Sequence, residues 1–270
     1  MVDTILIIDF GSQLTQLIAR RVRESGTYCE IHPFNKVTKK TVLSLSTNGI
    51  ILSGGPSSVT NVDTPRVNDG IFNMGLPILG ICYGQQTMVQ QLGGCVTNSD
   101  KKEFGRAELS ITSECPLFYN VWNKGSKEQV WMSHGDSVTS LPSGFRTVGI
   151  SENAPYAAIA NDEKKFYAVQ FHPEVVHTIN GARILENFTR RISGCKGDWT
   201  MTNFKDQEIK KIKAQVRGQK VICGLSGGVD SSVVAVLLHE AIGNQLTCVF
   251  VDTGMMRMHE ANEVVTLFRD

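Results

Sequence analysis

Pro77-Ile78-Leu79-Gly80-Ile81-Cys82-Tyr83-Gly84-Gln85-Gln86 joins a short apolar run to a polar segment through a cysteine with glycine on either side. A run this short and apolar on both faces reads as a buried strand, and Tyr83–Leu92 can be helical. Strand, tight turn, helix is the repeating unit of a parallel α/β sheet. The Gly-x-Cys-x-Gly spacing adds chemistry, because it is the cysteine form of the nucleophile elbow. Its glycines permit the sharp turn that lifts the side chain off the sheet edge. Amides at the helix start favour thiolate over thiol, and the Tyr83 N–H is placed to donate to an oxyanion. A lone cysteine at a strand end is ordinarily a small buried hydrophobe. The paired glycines argue for the reactive reading.

Outward from this turn, Thr4–Asp9, Tyr28–His32, Gly49–Ser53 and Pro77–Cys82 repeat the apolar-run pattern. Gln13–Glu24 carries helical spacing, and Arg66–Met74 is also expected to be helical. Ala107–Thr112, Gln129–Met132, Thr147–Glu152, Ala157–Ala160 and Phe166–Phe171 alternate like antiparallel strands. Ala182–Ile192 then closes the region as a helix. The expected fold is α/β: an open, mostly parallel sheet with crossover helices and added antiparallel strands. After Ser193–Asp198 the pattern restarts with helix Asn203–Arg217, strand Lys220–Leu225, helix Ser231–Ala241, strand Leu246–Asp252 and helix His259–Phe268. This predicts one complete domain over 1–195 and, over 196–270, the first part of a second doubly wound α/β domain.

Composition narrows the function classes. The 270 residues carry a formal charge of +1, with 41% hydrophobic and 20% charged residues. A basic excess for nucleic acid is lacking, and no apolar run approaches the roughly 20 residues of a membrane span. Met1–Phe10 carries Asp3 and Asp9 and reads as a strand rather than a secretory signal, so the expected compartment is the cytoplasm, with neither nucleic acid nor membrane as partner. Seven cysteines without a Cys-x-x-Cys pair argue against a disulfide framework or zinc site.

A cysteine nucleophile needs a base. His172, in Gln170-Phe171-His172-Pro173-Glu174, follows a predicted strand of the same domain. Residues i and i+2 of an extended chain project to the same side, so Glu174 can orient the imidazole as third member of a triad. Leu52-Ser53-Gly54-Gly55-Pro56 follows another strand and could bring the Gly55 N–H to the same sheet edge as a second oxyanion donor.

With these segments in hand, residues 1–193 resemble the class I, triad-type glutamine amidotransferases. The resemblance implies that Cys82 attacks the side-chain amide of glutamine, His172 moves the protons and Glu174 orients it. It further implies that Gly55 and Tyr83 hold the oxyanion, while Gln86 and the loop Ser133-His134-Gly135-Asp136 contact the α-amino and α-carboxylate groups. Within that loop Ser133, Gly135 and Asp136 are the candidate contacts, and His134 is not catalytic.

Leu225-Ser226-Gly227-Gly228-Val229-Asp230-Ser231-Ser232 lies between a predicted strand and helix. Glycines bring N–H groups close to an anion, hydroxyls add donors, and the helix start favours negative charge, so this is a phosphate loop. It lacks the Gly-Lys-Ser/Thr ending of the kinase and GTPase type. The string Ser226 to Ser232 resembles the pyrophosphate loop of N-type ATP pyrophosphatases, which implies ATP as a substrate, magnesium on its phosphates and Asp230 as candidate for metal- or pyrophosphate-coupled chemistry. The order of the two segments, with Val251-Asp252-Thr253-Gly254-Met255-Met256-Arg257 after the second strand, resembles the glutamine-dependent synthetases that convert xanthosine monophosphate (XMP) to GMP. That resemblance implies adenylation of XMP followed by displacement of AMP by ammonia. It also implies a homodimer for the full-length protein, through a region expected beyond this chain. An amidotransferase serving another acceptor is the alternative enzyme, and a nucleotide-sensing module without catalysis is the alternative of another class.

Overall fold

The computed structural model describes residues 2–252 and 259–268, and the backbone alone at 99–102 and 260. The segment 253–257 of the motif quoted above lies outside the described residues. The chain divides into two compact units, Met1–Trp199 and Thr200–Asp270.

The first unit begins β1 (Thr4–Asp9), α1 (Thr15–Glu24), β2 (Tyr28–Pro33), α2 (Lys39–Ser44), β3 (Thr47–Leu52), β4 (Ile78–Ile81) and α3 (Tyr83–Gln91). It continues with β5 (Cys95–Ile111), β6 (Lys127–Ser140), β7 (Arg146–Ile150), β8 (Ala158–Asn161), β9 (Phe166–Val169) and α4 (Gly181–Glu186), whose last turns widen to π type over Asn187–Ile192. The sheet order is β2-β1-β3-β4-β9-β8-β7-β5-β6. β2, β1, β3, β4 and β9 run parallel, and β8, β7, β5 and β6 extend the sheet in antiparallel pairs.

Period two explains the packing. Ile5, Ile7, Ile51, Leu79, Ile81 and Val169 join the core on one face of the sheet, while Leu6, Ile8, Ile50, Leu52, Ile78 and Ala168 join the core on the other. Strands covered on both faces must be apolar at every position, which is why β1 reads as a continuous run. α1 buries Thr15, Ile18, Ala19 and Val22, the i, i+3, i+4, i+7 stripe of an amphipathic helix.

The expected helix over Arg66–Met74 is corrected. Only Asp69–Asn73 coils, as a 3₁₀ segment capped by Asn68, although Val67, Ile71 and Phe72 are buried as a helical stripe would be. Gly70 and Gly75, the latter at φ +69°, weaken a regular helix there. The short stretches Ala107–Thr112 and Gln129–Met132 belong to longer strands, β5 and β6, that pair as one extended hairpin.

After α4 the chain returns to the start of its own unit. Lys196 N–H donates to Asp3 Oδ2 at 2.8 Å and Trp199 N–H to the Gly26 carbonyl at 3.0 Å.

The second unit comprises α5 (Met201–Val216), β10 (Val221–Leu225), α6 (Val229–Ile242), β11 (Leu246–Phe250) and α7 (Glu260–Leu267), with β10 and β11 parallel. Its core is small, Cys223, Leu225, Ala235 and Val264, and Ile222, Val229, Val233 and Val236 of the same unit are exposed.

Candidate active site

Parallel order places the C-terminal ends of β3, β4 and β9 side by side. Cys82 follows β4 as the residue capping α3, at φ +52° and ψ −108°, a conformation costly for any residue with a Cβ. The flanking glycines are required by contact. A Cβ on Gly80 would lie 2.7 Å from the Gly84 carbonyl oxygen and 2.8 Å from Gln85 N, and one on Gly84 would strike the Leu52 carbonyl. The elbow is tied down by Cys82 N–H to Val169 O at 2.8 Å, and by Gln85 N–H and Gln86 N–H to Cys82 O at 3.0 and 3.2 Å.

His172 and Glu174 come together, by a route other than the expected extension. β9 ends at Val169, and the chain turns at Pro173-Glu174, so that His172 Nδ1 meets Glu174 Oε1 at 2.7 Å with both side chains buried. The loop is held at several points. His172 N–H donates to Trp131 O at 2.9 Å, Thr178 Oγ1 to His172 O at 2.6 Å, and Arg21 Nε to Glu174 O at 3.1 Å. Gly181 packs so closely on Pro173 that a Cβ there would strike its carbonyl. Burial works against the imidazolium, but hydrogen bonds to Cys82 and Glu174, and then their charges, outweigh it and push the His172 pKa up to about 10. Nδ1 is engaged by Glu174, which leaves Nε2 for the thiol. A thiol, an imidazole and a carboxylate in this order can act as nucleophile, base and orienting group.

Just after β3, Ser53 accepts from Phe10 N–H at 3.1 Å and donates to Gly54 O at 2.8 Å, fixing the following glycines. A Cβ on Gly54 would lie 3.3 Å from His172 Cε1 and 3.8 Å from Cys82 Cβ, and one on Gly55 would lie 2.9 Å from Phe10 O and 3.4 Å from the Tyr83 ring. Tyr83 opens α3, so its N–H is among those that a helix leaves without an intrahelical acceptor.

Ser133, Gly135 and Asp136, expected on a loop, lie within strand β6, because that segment completes a ladder with β5. Cys82 Sγ donates to Ser133 O at 3.4 Å. Gln86 is buried with its amide donating to Asp136 O at 3.0 Å and Gln170 Oε1 at 3.2 Å. The Asp136 carboxylate accepts from Ser58 Oγ at 2.5 Å and Asn98 Nδ2 at 3.4 Å. Both ring nitrogens of His134 face protein acceptors, the Asp136 carbonyl and Glu103. Sequence reasoning missed Glu103, Ser58, Thr178 and Arg21, which reach the site through strand register or tertiary contact and carry no local motif.

Burial raises three of the other thiols. It pushes Cys29 and Cys115 up to about 11 and Cys195 up to about 12. Cys95 and Cys248 are exposed.

In the second unit, the Ser226–Ser232 segment connects β10 to α6, and Val229, Asp230, Ser231 and Ser232 form the first turn of the helix. Its serines brace the turn. Gly228 N–H donates to Ser226 Oγ at 3.3 Å, Ser226 N–H to Ser231 Oγ at 3.2 Å, and Ser231 Oγ and Ser232 Oγ each to Gly228 O at 3.0 Å. Gly227 at φ +83° and the exposed Gly228 leave the helix N-terminus open to an anion. Among the described residues no group of three or more His, Cys, Asp or Glu could hold a metal ion.

Residues 6–192 match the family described as glutamine amidotransferase class-I, and residues 200–268 the family described as NAD synthase. The chain is 58% identical over 267 residues to a glutamine-hydrolyzing GMP synthase of Bradyrhizobium diazoefficiens, spanning 99% of this chain and 48% of that protein. It is 58% identical over 268 residues to the protein of the same name from Brucella ovis, spanning 99% and 51%. The chain thus spans about half the length of the curated relatives it matches. A solved structure from Thermoplasma acidophilum, provisionally described as one subunit of a GMP synthase, is 27% identical with a TM-score of 0.60, over 78% of this chain and 98% of that one. A glutamine amidotransferase of Thermotoga maritima, 19% identical with a TM-score of 0.54 over 91% and 92%, shares the fold.

Proposed function

The chain belongs to the class-I glutamine amidotransferase family, and from that premise we propose that its first unit releases ammonia from glutamine at Cys82, His172 and Glu174. The observation that carries this reading is the buried His172–Glu174 pair, 2.7 Å apart, beside the Cys82 elbow: one Cβ on Gly54 would lie 3.3 Å from His172 Cε1 and 3.8 Å from Cys82 Cβ. Cys82 Sγ adds to the side-chain amide carbon, and the N–H groups of Gly55 and Tyr83 receive the developing oxyanion. Collapse of that adduct expels ammonia, which takes its proton from His172, and leaves a thioester. Water then gives a proton to His172 and attacks the thioester, releasing glutamate and restoring the thiolate. Ser133, Gly135, Asp136 and Gln86 line the side that receives the α-amino and α-carboxylate groups. A glutamine-derived diazo ketone should add its mass at the Cys82 peptide and be blocked by glutamine. Labelling elsewhere, or undiminished ammonia release by Cys82→Ala, overturns the assignment.

For the longer protein the reading is GMP formation from XMP, ATP and glutamine, supported by the names of relatives 58% identical over 99% of the chain. Residues 1–195 are then the ammonia-producing domain and 196–270 the first part of the ATP pyrophosphatase domain, whose Ser226–Ser232 turn takes the pyrophosphate of ATP. Magnesium fits as a companion of those phosphates, since Asp230 is the loop's lone carboxylate and the ion usually keeps substrate oxygens and water as ligands. Its chemistry would be neutralising phosphate charge. No helix among the described residues is long and apolar enough to cross a membrane, and cytoplasmic action and a homodimer belong to the same proposal. Pyrophosphate release that depends on XMP tests it. The NAD synthase match of residues 200–268 favours one second reading, another adenylated acceptor. Pyrophosphate release driven by such an acceptor would replace XMP and leave the glutaminase assignment standing.

A further inference from the structure

Glu103 on β5 stands directly opposite His134 on β6, next to the register shift between Asn98 and Glu103. It is 9% exposed, and its carboxylate faces three neighbours: His134 Nε2 at 3.2 Å, Ser151 Oγ at 2.9 Å and Asn153 Nδ2 at 3.3 Å. Burial acts to raise this carboxyl, but the hydrogen bonds from His134 and Ser151 outweigh it and hold the group below its ordinary range. On the far side of the ring, His134 Nδ1 faces the Asp136 carbonyl at 3.0 Å. A carbonyl can only accept, so the Nδ1 contact calls for hydrogen on Nδ1, while Nε2 faces the Glu103 carboxylate. The same carbonyl accepts from Gln86 Nε2 at 3.0 Å, on the helix that follows Cys82. Three residues earlier, the Ser133 carbonyl accepts from Cys82 Sγ at 3.4 Å.

We propose that Glu103 is a positioning residue for glutamine, holding the Ser133–Asp136 strand in register through His134 so that the strand presents its groups to the substrate's α-amino and α-carboxylate ends. The proposal rests on the glutaminase reading of the Cys82 site. Without the carboxylate, His134 keeps its Nδ1 bond but loses the anchor behind Nε2, so the segment keeps its β5 ladder and its Gln86, Ser58 and Asn98 contacts but loses the side-chain tie beside the register shift. Recognition should weaken while the reactive thiol, held by the elbow itself, persists.

Two readouts separate these effects: the rate at which iodoacetamide alkylates Cys82, and the glutamine concentration that halves that rate. In Glu103→Ala the half-protecting concentration should rise about tenfold while the unprotected rate stays within about twofold of the parent. Glu103→Gln keeps an oxygen facing Nε2 and should fall between the two. If both variants are protected like the parent, or if alkylation and protection are lost together in both, Glu103 has no positioning role. Should the alanine variant fail to fold, parent-like protection of the glutamine variant alone overturns the proposal. A parent protein that glutamine does not protect removes the glutaminase reading instead.

Discussion

His172 and Glu174 meet with Nδ1 2.7 Å from Oε1 although no strand carries them, because the turn at Pro173 folds the carboxylate back under the ring. The pair has a pH signature. The folded-state pKa of His172 is raised from 6.5 to about 10, so the stability it contributes is fully present below pH 6.5 and is lost as pH rises toward 10. Denaturant unfolding of the parent and His172→Gln across that window should show a gap that narrows as the pH rises. A gap independent of pH would contradict the assignment. In Glu174→Gln the ring titration, followed by NMR, should move down toward the ordinary value.

The glycines of the elbow are expected to resist the smallest enlargement. Gly84→Ala puts a methyl against the Leu52 carbonyl and Gly80→Ala one 2.7 Å from the Gly84 carbonyl oxygen. Each should lower the unfolding free energy by about 2 kcal/mol or more and abolish ammonia release. Gly224→Ala, with nothing within 4 Å of its Cβ, should stay within about 0.5 kcal/mol. Equal effects in chemical denaturation at all three sites would contradict the packing argument.

Cys82 itself sits at φ +52°. Glycine relieves that strain and alanine does not, so Cys82→Gly should be at least as stable as Cys82→Ala, against the usual order in which glycine is about 0.5–1 kcal/mol worse. Both should be inactive in ammonia release. A Cys82→Gly variant clearly less stable than Cys82→Ala would mean that the backbone there is not strained.

Ser226 braces the Ser226–Ser232 turn by accepting from Gly228 N–H at 3.3 Å and bonding Ser231 Oγ at 3.0 Å. In the longer protein Ser226→Ala should raise the ATP concentration for half-maximal pyrophosphate release about five- to tenfold. An unchanged value would exclude a phosphate-binding role for the turn.

The elbow is legible in the sequence because its chemistry is local. Gly80 and Gly84 mark close backbone approach, and the apolar run before them marks a strand covered on both faces. β1 has the bounds the sequence suggests, Thr4–Asp9, for the same reason. Arg66–Met74 misleads because Val67, Ile71 and Phe72 bury themselves at helical spacing without a helix. Glu103 is invisible in the sequence because its meaning lies in being opposite His134, a register that only the β5–β6 pairing fixes. The turn at Pro173 delivers the expected neighbours by a different path, since side-chain pairing over two residues has more than one backbone solution.

The bond from Lys196 to Asp3 brings the two ends of the first unit within one hydrogen bond of each other. A fold whose ends touch can be cut and rejoined: a short linker between those ends, with new termini opened at an exposed turn such as Asn123–Gly125, would give a circular permutant that leaves the ends of β3, β4 and β9 uncut. The same closeness makes the unit a cassette, able to be spliced into a surface loop of another protein without forcing that loop to span the sheet.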